Sequence, residues 1–200
     1  EQWMTLVGGD PEALDTRGPA VPDGLAIKLY PCCYALQRPI SAAAELGKLD
    51  PDRIRTITVR TPAVSLAPLI HLRPQTGLEG KFSLQYGIAA ALLDGRPGID
   101  SFSDQAVVRP EAVRLGELVA VHPGEGGDHL LAGELKLEVR LDDGSEVHTT
   151  LGLPPGAPDR PPSDDELRTK LELCAGREAD TLATLGWESA GAYLRTAMPA

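Results

Sequence analysis

Between Leu135 and Leu151 the chain alternates apolar and polar residues on both sides of a tight turn. Leu135, Leu137, Val139 and Leu141 are separated by charged residues, Asp142-Asp143-Gly144 reverses the chain, and Val147, Thr149 and Leu151 return. A period of two places one set of side chains on a single face, and Asp-Gly is a favoured hairpin turn, so the pattern specifies antiparallel pairing. Any fold for this sequence must contain that pair.

Two further extended runs precede it. Ile54-Arg-Thr-Ile-Thr-Val-Arg60 alternates in the same way and stops at Pro62, and Leu118 to His122 reads as another strand. Ala26 to Tyr30 is a short extended run halted by Pro31. Helical spacing recurs at Cys33, Leu36, Ile40, Ala43 and Leu46, which predicts a helix from Tyr34 to Leu46, distorted near its start by Pro39 and ended by Gly47. Asp104 to Val107 and Pro110 to Leu115 read as short helices, and a loop spans Thr61 to Leu78. Ser163-Asp-Asp-Glu166 has the form of a capping box that opens a helix, with further helical pieces at Asp180 to Leu185 and Ser189 to Ala197. Strands that come first singly and then as a hairpin suit an α+β fold, with an antiparallel or mixed sheet covered by helices and a helical C-terminal segment.

The expected organisation is one domain over 1-200. An N-terminal helix around Trp3 to Leu6 and a linker fill 1-23, an α+β core fills 24-153, and a Pro-rich linker with C-terminal helices fills 154-200. With 42% hydrophobic residues, 200 residues suffice for one ordinary core. A formal net charge of −10 opposes binding to polyanions, so no nucleic acid is expected as a partner. There is no run of about 18 apolar residues and no signal-peptide pattern, so no membrane is expected either. Three cysteines, two of them vicinal at Cys32 and Cys33, make no disulfide framework and suggest the cytoplasm. The opening Glu1-Gln-Trp-Met4 lacks an initiator methionine, which suggests an excised or processed piece.

Lys81 to Gly95 carries one lysine and one tyrosine on a helix otherwise built for burial. Phe82, Tyr86, Ala89 and Leu93 share a face, so Tyr86 points inward. Its hydroxyl has two readings: a proton donor to a substrate oxygen, or a core group bonded to a backbone carbonyl.

Two ordered motifs carry a resemblance. Lys28-x-Tyr30-Pro31-Cys32-Cys33 before a helix, followed by Pro74-x-Thr76-Gly77-x-Glu79-Gly80-Lys81-Phe82-Ser83-x-x-Tyr86, resembles the C-terminal domain of the MmgE/PrpD family. That family contains 2-methylcitrate dehydratases, cis-aconitate decarboxylases and iminodisuccinate epimerases. The resemblance implies an α+β domain of a lyase or isomerase acting on a small polycarboxylate, completed by a large helical N-terminal domain or a second chain, with homo- or hetero-oligomers, dimers among them. It implies Tyr86 and Lys28 as catalytic residues, with Lys28, Lys81, Cys33 and Gln37 around the substrate. Lys28 can neutralise a carboxylate while its stem is covered, and Lys81 either binds a carboxylate or merely begins the helix.

The sequence departs from the family where relatives commonly carry a His near Gln37 and an Asp near Ser41. Gln37 can hydrogen-bond but cannot shuttle a proton. The four histidines, His71, His122, His129 and His148, do not match the acid/base histidines of the helical domain, so the isolated chain is expected to be inactive. Two alternatives stay open: a non-catalytic binding or assembly domain, and a member repurposed for natural-product chemistry. His122 and His129 flank Glu125 and Asp128 without the spacing of a zinc or EF-hand site, so no metal is expected, and no cofactor motif is present.

Overall fold

The computed structural model describes Gly8 and the residues numbered 24–125 and 127–197. The expected N-terminal helix around Trp3 to Leu6 lies outside the described residues. In chain order the elements are α1 (Gln37–Glu45), β1 (Ile54–Pro62), α2 (Gly77–Gly80), α3 (Leu84–Asp94), α4 (Asp104–Val107), α5 (Pro110–Glu117), β2 (Val119–Gly124), β3 (Leu135–Leu141), β4 (Glu146–Leu151), α6 (Asp164–Ala175), α7 (Ala179–Ala183) and α8 (Trp187–Ala197). Among the described residues no helix is long and apolar enough to cross a membrane.

The four strands form one mixed sheet in the order β2-β1-β3-β4. β1 runs parallel to β2, with Val59 opposite Val121, and antiparallel to β3, with Val59 opposite Leu137. The hairpin pairs Val139 with Val147 and Leu135 with Leu151. Alternation therefore delivers Ile57, Val59, Leu135, Leu137 and Val139 to one face, where all are buried. Thr58, Arg60, Lys136, Glu138 and His148 line the other, which is open to water.

Against the buried face lies α1, over β3 and β4, with α3 packed on α1 and α5 on α3. Leu36, Ile40 and Ala43 are the inward stripe of α1, as the spacing predicts. Instead of one helix from Tyr34, the chain makes a 3-10 turn over Tyr34–Leu36 and becomes α-helical at Gln37. Pro39 then falls in the first turn of α1, where its missing N–H would have had no helical partner, and so costs little. Gly47 follows α1 with φ +74°, the left-handed conformation that ends helices.

Three expectations need correction. Ala26 to Tyr30 joins no ladder: Ile27 N–H donates to the Gly156 carbonyl at 2.7 Å, and the next donors go to a side chain described below. The Thr61 to Leu78 loop contains a 3-10 turn at Ala63–Leu66 and the start of α2. The Lys81 helix starts later than predicted, because Ser83 is extended and its Oγ caps the Tyr86 N–H at 3.2 Å. Lys81 thus closes α2 and precedes α3, and Phe82 is exposed, while Tyr86 and Ala89 are buried.

One buried group ties the layers together. Arg38 on α1 is 1% exposed, and its hydrogen-bond partners are all neutral. Its Nη1 donates to the carbonyls of Leu131, Gly133 and Gly152 at 3.1, 2.9 and 3.0 Å, and its Nη2 to the hydroxyls of Thr61 and Ser65 at 3.2 and 2.8 Å. A planar fork with five donors suits this span, and an ammonium could not reach it. The segment before β3, the exit of β4 and the end of β1 are thereby held to one helix.

Candidate functional site

The Pro74 to Tyr86 motif is a scaffold for a single turn. Thr76 Oγ1 caps the Glu79 N–H at 3.3 Å, and Glu79 Oε2 accepts the Gln75 N–H at 2.6 Å. Gly77 N–H donates to Asp104 Oδ1 at 2.7 Å, and a Cβ at Gly77 would stand 2.0 Å from the Phe102 carbonyl oxygen. Gly80 lies on the ring of Tyr86, where an added Cβ would come within 3.1 Å of Cδ1 and 2.8 Å of Val107 Cγ2. Each of these features fixes the backbone that presents Lys81.

The Lys28 to Cys33 motif is held from the helix behind it. Gln37 is fully buried, and its Oε1 accepts the N–H groups of Leu29 and Tyr30 at 2.9 and 3.0 Å. Its Nε2 donates to the Tyr30 carbonyl at 3.0 Å and to Cys32 Sγ at 3.4 Å. With two acceptor sites and two donors on the amide, nothing remains for a substrate. Gln37 is expected above as a substrate contact; its geometry makes it the residue that shapes the Lys28 turn.

The two motifs meet through the backbone, since Cys33 N–H donates to the Lys81 carbonyl at 3.0 Å. A third segment joins them, with His71 N–H donating to the Phe82 carbonyl at 3.3 Å. Lys28 is exposed and Lys81 half-buried, and both ammonium groups bear on Cys32. Burial, aided by the neighbouring Cys33, nevertheless pushes the Cys32 thiol up to about 12. Cys32 is therefore a protonated packing residue and not a nucleophile. Cys33 is half-buried against the core at the start of the 3-10 turn.

Tyr86 belongs to different surroundings. Its hydroxyl donates to the Ser101 carbonyl, and its ring meets Phe102 edge to face at 5.8 Å and 74°. Desolvation raises the phenol to about 12, with Arg109 lowering it and Asp94 raising it. Tyr86 is one of the residues lining a groove of about 270 Å³, with Leu72, Arg73, Gln75, Gln85 and Glu117, that includes neither Lys28 nor Lys81. Of the expected site residues, then, the fold joins Cys33 and Lys81 through the backbone, leaves Lys28 exposed on the segment that leads to Cys33, and sets Gln37 and Tyr86 beneath the two turns. Sequence reasoning counted His71 among the histidines that do not match the helical domain's acid/base residues and missed its place beside the Lys81 turn, because no local pattern links the two. Among the described residues no three metal-ligating side chains converge, and His129 pairs only loosely with Asp128 at 3.7 Å.

A family model described as the MmgE/PrpD C-terminal domain matches residues 30–183. The cis-aconitate decarboxylase of Aspergillus terreus (strain NIH 2624 / FGSC A1156) is 28% identical over 173 residues, covering 78% of this chain and 35% of that protein. The cis-aconitate decarboxylase of Mus musculus is 27% identical over 163 residues, covering 76% of this chain and 33% of that protein. The chain thus spans about a third of the length of these curated relatives. With its two motifs joined at Cys33 and Lys81 and a family match across more than half its length, the chain belongs to the MmgE/PrpD family, as a C-terminal domain.

Proposed function

We propose that this domain supplies the substrate-holding half of a lyase or isomerase site for a small polycarboxylate, in a dehydration, decarboxylation or epimerisation. The observation that supports it is the joined pair of turns that brings Lys28 and Lys81 to bear on one point, Cys32. Each of these reactions builds negative charge beside a carboxyl group as a proton or carbon dioxide departs. Fixed cations stabilise that charge most when they are already in place before the reaction. Lys28 binds a carboxylate and stabilises the developing charge, and Lys81 holds a second carboxylate. Gln37 and Tyr86 act as positioning residues for the two turns.

The proton-transfer group comes from a helical domain or a second chain packed over this face. Ile70, Leu72, Leu78 and Phe82 are exposed there, as a surface made for contact would be. The relatives named above are decarboxylases of cis-aconitate, so cis-aconitate is the first substrate to test. In the assembly with its helical domain, Lys28→Ala should lower kcat/KM by roughly 10²- to 10³-fold, and Lys81→Ala mainly raise KM. Unchanged turnover in both variants would favour a non-catalytic assembly domain. Substantial turnover by the 200-residue chain alone would overturn the division of labour.

A further inference from the structure

The two edges of the sheet are built differently. β2 carries Pro123, which has no N–H to offer a neighbouring strand, with Gly124 beside it at the strand end. β4 contains no proline, glycine or lysine, and it keeps one register along β3 from Glu146 to Leu151 without a bulge. Proline, lysine and bulges are the usual devices that stop an edge from pairing with another chain, and β4 lacks all three.

The hairpin fixes which groups of β4 face outward. Leu141 N–H donates to the Ser145 carbonyl at 2.9 Å, and in an antiparallel ladder only every second pair exchanges bonds. The bonds to β3 therefore recur at Val147, Thr149 and Leu151, which leaves the N–H and C=O groups of Glu146, His148 and Thr150 on the outer side. Among the described residues no other backbone bond uses them. The side chains of the same three residues are exposed on the open face of the sheet.

Charge selects what can pair there. Glu146 stands opposite Arg140, whose Nε donates to Oε1 at 2.7 Å, while His148 stands opposite Glu138 and Thr150 opposite Lys136. Two antiparallel copies of β4 with a two-fold axis at His148 use every outward group: His148 meets the second copy's His148, and Glu146 meets the second copy's Thr150. Across that seam one row reads Arg140, Glu146, Thr150, Lys136 and the next reads Glu138, His148, His148, Glu138, so no two fixed like charges are neighbours. An axis at Glu146 would instead oppose two carboxylates. The strand is thus complementary to itself in one register.

We infer that the β4 edge binds a second copy of this chain, antiparallel about His148, joining the two sheets into one. Such an interface is isologous, so it closes at two copies. It lies apart from the Lys28 and Lys81 turns and does not depend on the function proposed for them.

The test uses the full polypeptide that carries this domain. Sedimentation should show assembly that strengthens between about 1 and 100 µM, and hydrogen exchange at about 100 µM should find the amides of Glu146, His148 and Thr150 protected. His148→Pro deletes an outward donor without touching the β3 ladder, so it should weaken assembly at least about 10-fold while the inward amides of Val147 and Thr149 stay protected. Thr150→Glu sets two carboxylates against each other across the seam and should weaken assembly as well. Adding Glu146→Lys to it should restore assembly, which a misfolded strand would not do. Rapid exchange at the three outward amides, their protection without a gain in mass, or one mass shared by the wild type and both single variants overturns the interface.

Discussion

The carbonyl of Lys81 accepts the backbone N–H of Cys33 at 3.0 Å, across 48 residues of chain. Through that one bond the two motifs become a single surface, and neither turn can shift without the other. The residues behind them, Gln37 and Tyr86, carry most of the measurable consequences.

Gln37→Leu keeps the volume but leaves the N–H groups of Leu29 and Tyr30 unpaired behind the Lys28 turn, while the Tyr30 carbonyl keeps the Cys32 N–H. We expect a loss of about 2–4 kcal/mol in stability, read from urea unfolding, because each orphaned buried group costs roughly 1–3 kcal/mol. Should the variant keep full stability, the amide would not be what shapes the turn.

Cys32 and Cys174 should differ sharply toward iodoacetamide. With its thiol raised to about 12, Cys32 is about 10⁻⁴ thiolate at pH 8, and it is buried as well. Cys174 is exposed. Peptide mass spectrometry of the native protein should show Cys174 labelled within minutes and Cys32 only after denaturation.

Tyr86 makes stability sensitive to alkali. Its folded pKa, about 12, lies above the ordinary value of 10.0, so the folded state holds the proton more tightly. The resulting stabilisation is complete below pH 10 and is lost as pH rises toward 12. Tyr86→Phe should cost about 1 kcal/mol at pH 7, from the lost bond to Ser101, and should flatten the decline of Tm above pH 10. A variant with the wild-type alkaline slope would place the titration elsewhere.

Gly77→Ala and Gly80→Ala should separate in severity. At Gly77 the added methyl meets a backbone carbonyl 2.0 Å away, which can move only if α2 undocks from Phe102. At Gly80 the nearest atoms are side-chain carbons of Val107 and Tyr86, which can give way. We expect Gly77→Ala to destabilise by more than about 3 kcal/mol and Gly80→Ala by about 1–3 kcal/mol, measured by thermal unfolding. Equal losses would count against this account.

The hairpin was legible because its period of two is visible residue by residue, and α6 because Ser163 and Glu166 form their reciprocal cap within one turn. The parallel pairing of β1 with β2 was not, since no local signal selects a neighbour for a strand. Ala26 to Tyr30 has the composition of a strand, but a side chain eight residues onward captures its N–H groups, so a pattern of backbone hydrogen bonding was taken over by one glutamine. Lys81 was placed on the wrong element for a related reason. Two consecutive caps, at Thr76 and Ser83, start a short helix inside what reads as a loop and delay the next one to Leu84, which leaves Lys81 between them, and both signals were present in the sequence. The motif residues were recognisable as a set. Their separation into solvent-reaching lysines and buried Gln37 and Tyr86 needed the third dimension.

The partners of Arg38 lie 93, 95 and 114 residues away for its carbonyl contacts, and 23 and 27 for its hydroxyl contacts. Closing loops of that length is slow, and none of the carbonyl bonds can form until β3 and β4 have docked on the strand that follows α1. The clamp is thus a late event in folding and an early one to break. Its weight falls on the rate at which the native state opens, so an Arg38→Met protein should fold at nearly the wild-type rate and unfold much faster.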